Sequence, residues 1–590
     1  MNHGSGWFVA AGPDACGIVQ ASLPDYPTGQ FLFFRVADPS MVSERHGVTV
    51  LVDGRIDNRR ELLHALGLAA DLTNAGLVLS AWLCWGEQTI ERLHGDFAIV
   101  VHDLGRHSLF LARDIFGQRS LFYRLFGDGL VVGPSSAELA KLVGSCEPDI
   151  LHLLREEILE ADEGDSTNYR EVRRVRPGEI LRWNGAVSAT RYWRPRLDPL
   201  PIDDGEATEE YRSLLDQAVA ARLPRGGTVA CHLSSGFDSA AVVATASRLA
   251  GSGRVRAFTS APWPGDFTVP KDRVADEAPI ARELSAELGI AHRTIRDNES
   301  PLTLWRRYSG VFEMPIRKPF NTAWWTAIAQ QAREGGSSVL LTGEMGNLTL
   351  NFGGPHVLAN YLSSRRYLVW LRESLLALRR PEFSWKGVAF NSVAPFLPSA
   401  LRQRLTGDNL GAVTFLRREH WERAGISPDY NSSPESRLDY FRLLDWGLHR
   451  NSTRTLFGLD ERDAMADRRI AEFALRLPPE QFFRNGQARP LAKRALADRL
   501  PPYILDAKTR GLQSADWALR LDRAAASEAL EEISASHAAV ELFDFEAMRQ
   551  ALNNWPVADW NRLDIVMRYR VAFVSALATG YFLLSLEGRL

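Results

Sequence analysis

An aspartate in a loop of small residues, where a short apolar strand turns into a helix, is the most chemically pointed feature of this sequence. Thr228-Val229-Ala230-Cys231-His232-Leu233 reads as the strand, Ser234-Ser235-Gly236-Phe237-Asp238-Ser239 as the loop, and Ala240 to Ala246 as the helix. Free N–H groups and the helix dipole make such a turn an anion site. The hydroxyls of Ser234, Ser235 and Ser239 can add hydrogen bonds to phosphate oxygens. Asp238 would repel phosphate unless a cation stood between them, so its presence implies Mg²⁺. Taken alone, the stretch also fits an ordinary helix with serine caps.

A second segment points the same way. Ser337-Ser338-Val339-Leu340-Leu341 reads as a buried strand that runs into Thr342-Gly343-Glu344-Met345-Gly346-Asn347. The first loop resembles the SGGxDS pyrophosphate loop of the N-type ATP pyrophosphatases, which include asparagine synthetases. The second resembles that family's SGEGxDE segment. On this resemblance ATP meets Leu233, Ser234, Ser235, Gly236, Phe237, Asp238, Ser239 and Gly343, and Glu344 takes a proton from the attacking amine. Asp238 and Asn347 would then hold Mg²⁺, Asn347 standing where an aspartate is expected. Ser235 replaces a glycine, which strains the backbone if that position needs φ > 0. Leu459 to Phe473 resembles VExRxPFLDxxxxEF, which puts Asp460 in the glutamate position, holding or tuning Glu344. Near the end the family keeps a lysine that stabilises the transition state, and the match leaves Lys508 and Arg510 both open.

The first third resembles the glutamine amidotransferase domain of asparagine synthetases. Val52-Asp53-Gly54-Arg55-Ile56-Asp57-Asn58 resembles VNGEIYN, Leu93 to Ala98 resembles LxGxFA, and Ala112-Arg113-Asp114 through Gly117 resembles ARDxxG. That fold uses an N-terminal cysteine, whereas Asn2 follows Met1 here. Arg55 stands where a glutamate would hold the glutamine amine, and Ala75 where an aspartate would. Glutamine hydrolysis is therefore expected to be lost, and the amine must come from the substrate.

Two relatives of that kind cyclise their substrate: β-lactam synthetases and lasso peptide cyclases. Thr342 to Asn347, Arg462 to Arg469, and Leu500-Pro501 through Asp506 to Gly511-Leu512-Gln513-Ser514-Ala515-Asp516-Trp517 are similar to lasso peptide cyclase segments; Ala464-Met465 stands where Pro-Thr is usual. This implies a ribosomal precursor peptide whose Asp or Glu side chain is adenylated and joined to the core's N-terminal amine. A leader peptidase and a leader-recognition protein are the implied partners. A small-molecule amide or β-lactam synthetase stays open as an alternative, as does a catalytically inactive nucleotide- or peptide-binding scaffold.

The elements that must position these residues divide near residue 200. Short β-rich runs with turn residues, and helices at Arg59–Leu66 and Leu77–Gly86 between them, predict an N-terminal α+β layered sandwich of the Ntn-hydrolase kind over residues 1–200. Past the proline-rich stretch Trp193 to Pro201, strand-then-helix repeats predict a parallel α/β synthetase domain of the ATP-pyrophosphatase type over 201–590. Its part beyond residue 355 is expected to be mostly helical. Apolar residues make up 45% and charged residues 24%, with a net charge of −3, so no nucleic-acid partner is expected. The pairs Arg365-Arg366 and Arg379-Arg380 read as a solvated face, and Tyr367 to Leu378 as a core or peripheral helix. Four scattered cysteines without CxxC spacing suit a reducing cytosol. No signal peptide, no spanning helix and no membrane partner are expected. The sixteen tryptophans could line a peptide cavity, though core filling is the plainer reading.

Overall fold

The computed structural model of the protein describes residues 7–22, 32–36, 38–69, 71–142, 144–157, 164–265, 267–297, 299–316, 318–398, 401, 414–421 and 432–590. Period-two apolar runs in the first third pair into two antiparallel sheets. One sheet runs Leu32–Val36, Trp7–Ala11, Gly129–Gly133, Phe122–Phe126, Arg173–Arg174, and the other runs Val187–Arg191, Glu179–Trp183, Ser108–Arg113, Gly95–Asp103, Val48–Ile56, Val42–Arg45. The inward residues Trp7, Val9, Leu51, Val100, Leu111 and Val132 form one core. Helices Arg59–Leu66 and Asn74–Trp85 are interposed between strands, the second packing on Val48–Ile56. The second begins three residues earlier than the sequence suggests, because the Thr73 hydroxyl caps it by accepting the Gly76 N–H. This is the layered α+β domain expected.

The following domain carries five parallel strands in the order Ala291–Ile295, Val255–Ser260, Val229–His232, Val339–Thr342, Asp460–Asp463. The first and fourth in sequence, Val229–His232 and Val339–Thr342, are neighbours, so both candidate loops leave the same sheet end side by side. Ligands of open parallel sheets bind outside the carboxyl ends of the strands. Ala- and Val-rich Phe237–Ala250 packs closely on this sheet because its inward side chains are small. Asp204–Arg222 is opened by a reciprocal capping box between Asp203 and Glu206. Beyond residue 355 the described chain is mostly helical.

One helical stretch, Leu563–Leu586, is long and apolar enough to cross a membrane, although Arg568 and Arg570 break its apolar run in sequence. It packs instead against Pro301–Phe312 and Arg523–Ile533, and 72% of its apolar window is buried in the protein. Trp7, Trp193 and Trp305 fill core, as the plainer reading of the tryptophans has it. The four cysteines are free.

Candidate active site

The serine loop is braced by its own side chains. Ser234 N–H donates to Ser239 Oγ at 3.0 Å, Gly236 N–H donates to Ser234 Oγ at 3.0 Å, and the two hydroxyls lie 2.9 Å apart. Ser235 does not have positive φ, so its Cβ meets no backbone penalty there. Its N–H and hydroxyl both donate to Glu277 Oε1, at 3.0 and 2.7 Å. The serine in place of glycine thus has a task, which is to hold Glu277 against the loop.

Asp238 lies in the first turn of the helix and is tied to the second loop at close range. A Cβ on Gly346 would come within 2.4 Å of Asp238 Oδ1, and one on Gly343 within 3.0 Å of the Asp238 carbonyl oxygen. Glycine at these two positions lets the loops touch. Burial pushes the Asp238 carboxyl up to about 6, against the pull of the Arg489 guanidinium and a hydrogen bond from Asn351. A half-buried carboxylate beside an anion-binding turn fits a divalent cation. Asn347 fits one less well, because its Oδ1 already accepts a hydrogen bond from Arg489. Among the described residues, no group of three or more His, Cys, Asp or Glu is placed to hold a metal. A Mg²⁺ on Asp238 would therefore draw its other oxygens from phosphate and water, as this ion commonly does.

Glu344 opens the 3₁₀ turn Glu344–Leu348, which is fixed from below by Asp463 accepting the Met345 N–H at 2.9 Å. Its side chain remains 39% exposed, and Arg450 donates to its Oε2 at 3.3 Å. Partial burial, with the carboxylates of Glu461 and Asp463 nearby, pushes Glu344 up to about 7, while Arg450 works the other way. Arg450 also donates to Glu461 Oε1 at 3.1 Å, and Glu461 accepts from Trp325 Nε1 at 3.1 Å. Burial lowers His449 to about 4, so this neighbour is a neutral imidazole near pH 7.

The structure does not bring Asp460 to Glu344. Strand alternation puts Asp460 and Arg462 on one face of Asp460–Asp463, and Glu461 and Asp463 on the other. Asp460 accepts instead from Arg119 of the N-terminal domain at 2.8 Å and from Arg462 at 2.7 Å. Burial would raise its carboxyl, but these guanidiniums hold it well below the usual range. The residue that shares a cation with Glu344 is Glu461.

The two candidate transition-state cations, Lys508 and Arg510, are both exposed, and Arg510 lies in the field of Arg489 and Arg273. Partial burial and those like charges lower Arg510 from its ordinary value. The strand Arg510–Gly511 pairs in parallel with Arg273–Val274, and a Cβ on Gly511 would meet Glu277 at 2.3 Å. Glu277 therefore stands between the serine loop and the segment that carries Arg510. Arg450, Glu461, Glu277 and Arg489 are the site residues that motif reading missed. Only the strand alternation around Glu461 left a trace of them in the sequence.

The N-terminal segment that resembles a glutamine-binding site is filled by buried charge pairs. Arg55 pairs with Asp57 at 2.6 Å and Asp96 at 2.8 Å, both carboxylates being buried. Arg222 of the synthetase domain reaches Asp57 and Asp96 at 3.5 Å each, and Asp467 at 3.1 Å. Arg454 clamps Asp53 at 2.8 and 3.0 Å, and Trp7 Nε1 donates to the same carboxylate. Burial would raise Asp53, yet Arg454 and Arg119 hold it down at about 2. Cys16 is buried and hydrogen-bonds the Ala10 carbonyl, with its thiol raised by burial.

Two antiparallel layers of the Ntn amidotransferase type, joined to a parallel ATP-pyrophosphatase-type sheet, define a synthetase-class architecture. Residues 34–193 match the glutamine amidotransferase domain family and residues 210–574 match the asparagine synthase family, so the chain belongs to the asparagine synthase family. It is 30% identical over 357 residues to amidase chry2 of Gibberella zeae, covering 57% of this chain and 51% of that protein. It is 22% identical over 496 residues to asparagine synthetase [glutamine-hydrolyzing] 1 of Bacillus subtilis, covering 78% and 75%. Carboxyethyl-arginine beta-lactam-synthase of Streptomyces clavuligerus is 31% identical over 207 residues, covering 34% and 38%. The chain thus spans about half the length of chry2, with which it shares its long 30% match.

Proposed function

We propose that this protein is an ATP-dependent macrolactam synthetase. It would activate an Asp or Glu side chain of a precursor peptide and join it to the peptide's own N-terminal amine. The observation that carries this reading is Arg55. Half-buried and paired with Asp57 and Asp96, it stands where the resemblance expects a glutamate to hold the glutamine amine, which argues for an amine supplied by the substrate instead of ammonia from glutamine. An amine supplied by the same molecule as the carboxylate gains most from being held in place.

The chemistry runs in two steps. A substrate carboxylate oxygen attacks the α-phosphorus of ATP and pyrophosphate leaves, giving an acyl adenylate. The amine nitrogen then attacks the acyl carbon, AMP leaves, and Glu344 takes the ammonium proton. The N–H groups that open the helix Phe237–Ala250 would receive the phosphates, those of Ser234, Ser235 and Gly236 being bonded within the loop and to Glu277, and Arg489 and Arg510 would supply positive charge beside them. Mg²⁺ on Asp238 would neutralise the departing pyrophosphate. A leader peptidase and a leader-recognition protein would deliver the substrate. A small-molecule amide or β-lactam synthesis is the second reading, favoured by the likeness to the Streptomyces beta-lactam-synthase.

The first test is mass spectrometry of a precursor encoded beside this gene, incubated with the protein, its leader-processing partners and Mg-ATP. A core lighter by one water, formed only with ATP and absent with Asp238→Asn, is the expected result. A cleaved, linear core with no AMP released would end the peptide reading and direct the search to small carboxylic acids.

A pH profile supplies a second test. Glu344 acts as a base only when ionised, and its carboxyl titrates near about 7. The amide-forming rate should rise with pH through about 7 and level off above it. A flat profile between about pH 6 and pH 8 would remove Glu344 from the role of base.

A further inference from the structure

The helix Tyr367–Ala377 packs Val369 and Trp370 on the core yet turns most of its leucines outward. It buries Glu373, which accepts the Gly486 N–H at 2.9 Å, together with Ser374 and Ala377. It turns Leu368, Leu371 and Leu375 to water, at 84%, 47% and 54% exposure, with Leu378 just beyond its end at 42%. Spacings of three, four and three residues put these leucines on one face. Ordinary amphipathic helices do the opposite, keeping leucine in the core and charge outside.

The next helix, Trp385–Val393, repeats the pattern. Its exposed residues include Trp385 at 66%, Phe390 at 39% and Val393 at 42%, and it contains no acidic residue. Phe396 follows at 52%. Both helices pack on the short helix Leu358–Ser363, so they belong to one outer layer. Exposed apolar side chains gathered on two helices of one layer mark a contact surface.

The charge around this layer identifies what it contacts. Between residues 364 and 397 the sequence has Arg365, Arg366, Arg372, Arg379, Arg380 and Lys386 against two acids, Glu373 and Glu382. The chain as a whole is at −3. Glu373 points inward, 4.0 Å from Arg372; Glu382 lies 3.8 Å from Arg380 and Glu480 pairs with Arg366, so the rim's excess positive charge rests on Arg365, Arg379 and Lys386. Lys386 lies 5.8 Å from the Trp385 ring centre, with its charged end beside the aromatic face.

We propose that this layer is a peripheral docking surface for an anionic phospholipid bilayer. Leucine, tryptophan and phenylalanine tips enter the headgroup boundary, and the basic rim meets the lipid phosphates. Leu368, at 84% exposure, stands out from the protein instead of lining a groove, which favours a fluid surface over a shaped protein partner. The proposal revises the expectation that no membrane takes part. It does not depend on the cyclase reading, since none of these residues lies in the site described above.

The test is co-sedimentation of the full-length protein with vesicles of phosphatidylglycerol and phosphatidylcholine, compared with phosphatidylcholine alone. Retention on the anionic vesicles only, weakening as salt rises, is the expected result. Leu368→Asp with Leu375→Asp should lower that retention by roughly tenfold or more, with the thermal midpoint and ATP-dependent activity unchanged. Arg365→Glu with Arg379→Glu, at exposed positions, should lower it as well and flatten its salt dependence. Equal behaviour on both kinds of vesicle, or unaltered retention in these variants, would overturn the assignment. So would absence from vesicles combined with loss of binding to a leader-processing protein in the same variants, which would give the face to that protein.

Discussion

Glu344→Gln is expected to stop amide formation while sparing adenylation. Removing a positioned base typically costs about 10²–10⁴-fold in rate, and glutamine keeps the size and polar contacts of the side chain. In the proposed mechanism the activating step would use the serine loop, Asp238 and the cations Arg489 and Arg510, none of which hydrogen-bonds Glu344. Exchange of labelled pyrophosphate into ATP should therefore persist in the variant when carboxylate substrate is present. AMP and amide should appear roughly 10²–10⁴-fold more slowly. The rise of rate through about pH 7 should also vanish, because the group that titrates there has gone. Equal loss of exchange and of amide would mean that Glu344 serves nucleotide binding, and the assignment of the base would move to another group.

How much of this site can be read in the sequence depends on how local each part is. The Asp238 loop is legible because strand, small-residue turn and helix are contiguous, and the Glu344 turn is legible for the same reason. Motif alignment places Asp460 beside Glu344, since both lie in segments that resemble the same family site. The fold separates them through the pleat: the register Leu340 to Glu461 and Thr342 to Asp463 sends Glu461 to the Glu344 side and Asp460 toward Arg119. Alternation is visible in a sequence, but which side of a sheet faces the ligand is decided by tertiary packing.

Arg450 and Glu277 were beyond reach for a related reason. Each is one charged residue among many on a helix or turn, and its meaning appears only when a partner more than 40 residues away arrives. Arg450 lies 106 residues from Glu344, and Glu277 lies 42 from Ser235. The helix Tyr367–Ala377 misleads differently. Its apolar residues read equally well as core or periphery, and only the fold shows that Val369 and Trp370 face inward with Glu373 while most of the leucines face water. The layered N-terminal domain and the parallel sheet were legible because both rest on repeated patterns, which tolerate local errors.

Arg450→Met should be the most destabilising single change in the site, and its cost should depend on pH. The side chain is 3% exposed, with its guanidinium between Glu344 and the fully buried Glu461. Methionine keeps much of the volume and removes the only cation among the described residues that bonds both carboxylates. Breaking a buried ion pair from one side costs about 3–5 kcal/mol. Burial already raises Glu344 and Glu461 above their ordinary values, and Arg450 opposes that rise. Without it both carboxyls rise further, and proton uptake then favours the folded state. For a carboxyl whose folded pKa lies above its unfolded value, stability is fully present below about 4.3 and is lost as pH rises through the folded pKa. The variant should thus lose little near pH 5 and most of the 3–5 kcal/mol above about pH 8, as read from urea midpoints at the two pH values. Adding Glu461→Gln should restore part of the loss, since the two sites share one network. A loss that is the same at both pH values, or a double variant that is simply additive, would show that Arg450 contributes packing alone.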